Sequence, residues 1–201
     1  MTGYHFAELA APAGAPLLFL FHGTGGNEND LIDLGRQLMP GAHLVSPRGD
    51  VSEEGALRFF RRSGEGVYDM ADLARATDKM ADFVKERVAA VGPARVGALG
   101  YSNGANILAS LLFTEPGLVD RAVLMHPLIP FAPAPQPALA GRQVLITAGR
   151  RDPIAPAALT DKLAAYFAAQ GAAASTVWHD GGHELRQPEL FAARDFLATI
   201  S

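Results

Sequence analysis

The sequence predicts an α/β fold, a mostly parallel central sheet with helices on both faces, and two observations carry that expectation. Short apolar runs that read as buried strands alternate along the chain with longer segments of helical spacing. Most of these runs are continuously apolar rather than alternating, as strands must be when both faces of a parallel sheet are covered. In such sheets ligands bind beyond the carboxyl ends of the strands, so functional residues are expected just after them.

The elements follow in order. Tyr4 to Leu9 adds an edge strand, and Pro16 to Phe21 is the first strong strand. Asn29 to Leu38 has helical spacing, and His43 to Val45 is again a strand. Arg48 to Asp69 fits neither element and reads as a long loop on the active-site side. In Met70 to Val91, the residues Met70, Leu73, Ala74, Met80, Phe83, Val84 and Val88 form an apolar stripe opposite charged residues, which describes a helix packed on a sheet. Strand Arg95 to Leu99 and helix Asn103 to Phe113 come next, then strand Ala122 to Met125. The Pro-rich stretch 127–141 is a second long loop, before strand Gln143 to Thr147, helix Ala157 to Ala169, strand Ser175 to Trp178 and helix Gln187 to Ile200.

Length and composition bound the rest. At 201 residues, the expectation is one domain spanning residues 1–201, with little or no lid. Hydrophobic residues make up 49% and charged residues 19%, the profile of a folded globular chain rather than a disordered one. The net charge of −4 and scattered basic residues offer no track for a phosphate backbone, so nucleic acid is not an expected partner. The absence of cysteine excludes disulfides, thiolate metal sites and a cysteine nucleophile. No stretch approaches the roughly 18 apolar residues a membrane span needs, and the N-terminus lacks a signal pattern. The expected location is cytoplasmic, with no stable membrane insertion.

The chemistry is concentrated in Gly100-Tyr101-Ser102-Asn103-Gly104, between the strand ending at Leu99 and an apolar helix. Gly-x-Ser-x-Gly in that context puts a serine hydroxyl on a tight strand-to-helix turn, where free helix N–H groups favour a developing oxyanion. Ser102 is the expected nucleophile and the Asn103 amide one oxyanion donor. The loop His22-Gly23-Thr24-Gly25-Gly26-Asn27 after the first strong strand supplies the second, from Thr24. A phosphate loop is the competing reading, but the Gly-Lys-Ser/Thr ending is missing.

A hydroxyl needs a base, and the chain order Ser, acid, His is met by Asp152, after the strand 143–147, and His183, after the strand 175–178. His179 and His126 are the rival bases and Asp180 the rival acid. The glycines before His183 give it freedom to reach the serine. Phe59 and Leu128, from the two long loops, are the expected walls of an apolar substrate pocket.

With these residues assembled, the chain resembles the phospholipase/carboxylesterase family of α/β-hydrolases, which includes acyl-protein thioesterases and small bacterial carboxylesterases. The resemblance rests on His22 to Leu31, Arg58 to Arg62, Gly100 to Asn106, Gly149 to Ile154 and Gly182-His183. Asn103 and the 58–69 segment resemble a bacterial branch associated with hydroquinone resistance. The resemblance implies the α/β-hydrolase fold, no cofactor, no metal and frequently a homodimer. The function expected from the residues and the resemblance together is hydrolysis of a small-molecule carboxylic ester or thioester with a small or medium acyl group, through an acyl-enzyme on Ser102. Acyl transfer or perhydrolysis at the same residues, and a non-catalytic binding module, are the alternatives.

Overall fold

A computed structural model describes residues 3–199. Its centre is a seven-stranded sheet built from β1 (Phe6–Leu9), β2 (Leu17–Phe21), β3 (His43–Pro47), β8 (Val96–Tyr101), β9 (Arg121–Met125), β10 (Gln143–Gly149) and β11 (Ala173–His179). The spatial order is β1-β3-β2-β8-β9-β10-β11. Every neighbouring pair is parallel except β1 against β3, so the expected N-terminal edge strand is present and runs antiparallel.

The continuous apolar strands are explained by the helices on both faces. Phe19, Phe21, Ala98, Leu124 and Ile146 pack with α2 (Met70–Val91), α3 (Asn103–Thr114) and α4 (Ala157–Ala169) through Met80, Phe83, Ile107, Leu111 and Phe167. The alternate residues Leu18, Leu20, Leu99, Val123 and Leu145 pack with α1 (Ile32–Leu38) and α5 (Gln187–Ala198) through Leu38, Ala193 and Leu197. Each of the inner strands β2, β8, β9 and β10 therefore feeds two apolar layers at once, which its largely apolar sequence requires.

Helix α2 keeps the expected limits because both ends are marked. Asp69 at its N-cap accepts from Asp72 N at 3.0 Å, and Gly92 stops it at φ 62°, a left-handed turn that glycine adopts without a Cβ clash. The cap is worth about 0.5–2 kcal/mol. Met70 and Ala74, counted in the apolar stripe, instead lie exposed, while Leu73 between them is buried. Helix α5 ends at Ala198, and the expected end at Ile200 lies outside the described residues.

The segment 48–69 is more ordered than the loop expected from sequence. It folds into two small antiparallel hairpins, β4 (Val51–Glu53) with β5 (Ala56–Arg58) and β6 (Arg62–Gly64) with β7 (Val67–Tyr68). Glu53 ties them together by pairing with both Arg58 and Arg62. The 127–141 stretch carries a single short 3₁₀ turn at Pro137–Leu139. No helix among the described residues is long and apolar enough to cross a membrane.

Candidate active site

Ser102, Asp152 and His183, with their neighbours Thr24 and His126, all follow carboxyl ends of sheet strands. Thr24 follows β2, Ser102 follows β8, His126 follows β9, Asp152 follows β10 and His183 follows β11. Ser102 sits between β8 and α3 at φ 53° and ψ −116°, strain that a β-carbon-bearing residue tolerates only when the surroundings impose it. They do so by close packing: a Cβ on Gly104 would collide with the Phe21 carbonyl of β2, so only glycine lets α3 start this near the sheet. Ser102 N donates to Met125 O at 2.8 Å, and Asn106 N donates back to Ser102 O at 3.0 Å.

The structure joins the expected serine, histidine and acid in one hydrogen-bonded chain. His183 Nε2 lies 2.8 Å from Ser102 Oγ, and His183 Nδ1 donates to Asp152 Oδ2 at 2.6 Å. The second oxygen of Asp152 accepts from Ile154 N at 2.8 Å and Ala155 N at 2.9 Å. Burial pushes the Asp152 carboxyl up, but the Ala155 N–H, His126, His183 and the Ile154 N–H outweigh it and hold it below the usual carboxylate range. The loops carrying Asp152 and His183 are tied together, since Arg151 N donates to Gly181 O and the Arg151 side chain to Asp180 O. Tyr101 donates its hydroxyl to His183 O at 2.7 Å, fixing the His183 loop against β8.

Ser102 and His183 open into a cavity of about 310 Å³ whose wall also includes Thr24, Arg58, Asn103 and Leu128. Asn103 opens α3, where backbone N–H groups have no intrahelical acceptor. Its side chain is held by Phe59 N, which donates to Asn103 Oδ1 at 2.8 Å. The Thr24 hydroxyl accepts from Arg58 Nη1 at 2.7 Å. Beneath that loop, buried His22 donates from Nδ1 to Gly23 O at 2.7 Å and accepts at Nε2 from Gly49 N at 2.9 Å. Burial lowers the pKa of His22, so the ring stays neutral and simply pins the loop.

Of the two expected pocket walls, Leu128 lines the cavity and Phe59 does not. Leu128 is placed by Asn106 Oδ1, which accepts from its N–H at 2.7 Å, and by the Tyr68 hydroxyl, which donates to its carbonyl. Phe59 is fully buried between Phe21 and His22, so its ring serves the core while its backbone serves Asn103. The rivals are also resolved in space. Asp180 is exposed and meets Arg150 only at 3.8 Å, and His179 Nδ1 accepts from Gly181 N while Nε2 faces Glu189. His126 lies against Asp152, with Nδ1 2.9 Å from Oδ2. Sequence reasoning missed Glu189 and Arg58; the Arg58-Phe59-Phe60-Arg61-Arg62 run was the one available signal for the latter.

The chain is similar to known hydrolases in sequence and in fold. The Dienelactone hydrolase family matches residues 58–189. The chain is 46% identical over 182 residues to MhqD of Bacillus subtilis (strain 168), whose name assigns it to the hydrolases, covering 90% of this chain and 91% of that one. A carboxylesterase of Bacillus cereus superposes with a TM-score of 0.91 at 36% identity, covering 98% of this chain and 95% of the other. Atu2452 of Agrobacterium tumefaciens, described as of unknown function, superposes at 0.92 with 56% identity over 98% of this chain and 97% of its own. The expected α/β-hydrolase fold and carboxylesterase likeness are both met, and the chain belongs to the dienelactone hydrolase family, among the α/β-hydrolase carboxylesterases.

Proposed function

We propose that this hydrolase cleaves carboxylic esters or thioesters of small or medium acyl groups through an acyl-enzyme on Ser102, with His183 as base and Asp152 as its orienting acid. The observation that carries the reading is the unbroken chain Ser102 Oγ, His183 Nε2, His183 Nδ1, Asp152 Oδ2, with links of 2.8 and 2.6 Å, at the mouth of a cavity. In this scheme His183 takes the Ser102 proton as Oγ bonds to the acyl carbon, and the carbonyl oxygen becomes an oxyanion. The backbone N–H groups of Asn103 and Thr24 stabilise that charge. As the tetrahedral intermediate collapses, the alkoxide or thiolate leaves with the proton from His183, and water then repeats the sequence on the acyl-enzyme.

The walls favour a modest substrate: Leu128 and Ile154 are apolar, whereas Arg58, Arg62 and Glu65 are charged, and the volume is small. The reading needs neither metal nor cofactor and takes the chain as one domain acting in the cytoplasm. Its test is turnover of a p-nitrophenyl ester series by wild type and by Ser102→Ala. Turnover of short acyl esters that disappears in folded Ser102→Ala is expected, and turnover surviving the substitution would reject the assignment.

A further inference from the structure

Asp152 Oδ2 is shared between two imidazoles. It accepts from His183 Nδ1 at 2.6 Å and lies 2.9 Å from His126 Nδ1. The other nitrogen of His126, Nε2, lies 3.1 Å from Glu189 Oε2. Glu189 is fully buried and accepts the Thr147 hydroxyl at 2.6 Å on Oε2 and the Arg186 N–H on Oε1. Both carboxylates are thus surrounded by donors, the arrangement of ionised groups. A ring whose two nitrogens each face an ionised carboxylate must carry both protons. We infer that His126 is a buried imidazolium clamped between Asp152 and Glu189, and that its charge sets the pH range in which His183 serves as base. The second half of this inference rests on the function proposed for Ser102 and His183.

Two further observations support the clamp. Burial alone would push His126 down, yet the hydrogen bonds and charges of Glu189 and Asp152 raise it above the ordinary histidine value. His126 also has φ 52°, an uncommon conformation outside glycine, held by its N–H donating to Thr147 O at 2.8 Å. The backbone is therefore bent where β9 ends, and the ring lies between two acids.

The electrostatic consequence follows from distance. The rings of His126 and His183 have centroids 5.2 Å apart, and the cation offsets part of the Asp152 charge that His183 feels. Without that cation, Asp152 would hold a proton on the neighbouring imidazole to higher pH, and the serine would lose its base in acid. The other charged or titratable groups on this side are Tyr101 from β8, His179 and Glu184 from the β11 end, and Arg151 beside Asp152. Arg58, Arg62 and Glu65 face His183 across the cavity.

His126, His179 and Glu189 also lie close enough to ligate one metal ion. The Gly181 N–H donates to His179 Nδ1 at 2.9 Å, which leaves the proton of that ring on Nε2, the atom a metal would need. The same proton suits donation to Glu189 Oε1 at 3.3 Å.

Two variants remove the charge by different routes. His126→Asn keeps a side-chain N–H toward Asp152 and tolerates positive φ, while Glu189→Gln leaves His126 in place with no second anion. The readout is the pH dependence of Ser102 labelling by a fluorophosphonate, which needs no natural substrate. Labelling of wild type at Ser102 tests the functional reading by itself; the acid-side midpoint tests this inference. We expect that midpoint to rise by about one pH unit in His126→Asn, and by less in Glu189→Gln because the more distant anion is lost as well. A midpoint unmoved or lowered in folded variants would overturn the inference, whatever happened to the plateau. Nitrogen-15 NMR of the wild-type ring gives a second check that needs no variant and no activity. Both His126 nitrogens are expected to be protonated at neutral pH, and a neutral ring there would overturn the clamp.

Discussion

Two histidines flank Ser102 in nearly equal burial and opposite states. His22 lies under the loop that bears Thr24, and His126 lies behind Asp152; their relative exposures are 1% and 0%. His22 meets a carbonyl and an amide, and burial lowers its pKa. His126 meets two carboxylates, which overcome a burial penalty acting in the same sense. Burial therefore does not decide the charge of an imidazole; the chemistry of its two partners does. One side of the site is fixed by a neutral pin and the other by a buried triplet of charges.

The largest break in this contrast comes from Asp152→Asn, which removes the acceptor for both His183 and His126. Ester turnover is expected to fall by about 10³–10⁴-fold through loss of imidazole orientation. A fall of less than about tenfold in folded protein would show that Asp152 does not act through His183.

His22→Gln sharpens the contrast from the neutral side. Losing the ring's bond to Gly49 N is expected to cost about 1–3 kcal/mol in denaturant unfolding. The acid-side midpoint of Ser102 labelling should stay where it is, because no charge is removed. A midpoint that moved as far as in His126→Asn would erase the distinction between the two histidines.

Stability against pH separates them by sign. His22 has a folded pKa below its unfolded value, so its contribution is present above the unfolded pKa near 6.5 and is lost as pH falls through the folded one. His126 has a folded pKa above its unfolded value, so its contribution is present below about 6.5 and is lost as pH rises through the folded one. Melting temperatures should therefore show the wild-type advantage over His22→Gln shrinking in acid and that over His126→Asn shrinking in alkali. Parallel curves would contradict the assignment. Asp152 and Glu189 have depressed folded pKa values, so what they contribute is present above the ordinary carboxylate range and is lost as pH falls through the folded values.

The smallest expected effect is that of Asp180→Asn. Its side chain is 87% exposed and lies away from both rings' hydrogen bonds, so turnover should change by less than about twofold. A loss comparable to Asp152→Asn would transfer the acid role to it.

What was legible in the sequence had a local signature. The 70–91 and 157–169 helices could be delimited by their helical spacing, and in the structure Asp69 and Gly92 cap the first while Pro156 precedes the second. Ser102 and His183 were legible because their strand-end contexts are contiguous. The hairpins of 48–69 were not, since strands of three residues or fewer hold no period and Glu53 pairs Arg58 and Arg62 only once the turns exist. Phe59 was misplaced because an apolar residue near a site gives no sign of which way its ring turns. The clamp on His126 was invisible for a different reason: Glu189 lies 63 positions further along the chain and is brought there by α5. Nothing near His126 distinguishes a buried cation from an ordinary strand-end histidine.

The most direct test of the covalent mechanism is mass spectrometry of wild-type protein quenched in acid within milliseconds of mixing with a p-nitrophenyl ester. A mass increase equal to one acyl group, mapped to the peptide containing Ser102 and absent in Ser102→Ala, is the predicted result. Steady turnover with no acylated protein at any quench time, or an acyl group on another residue, would contradict it.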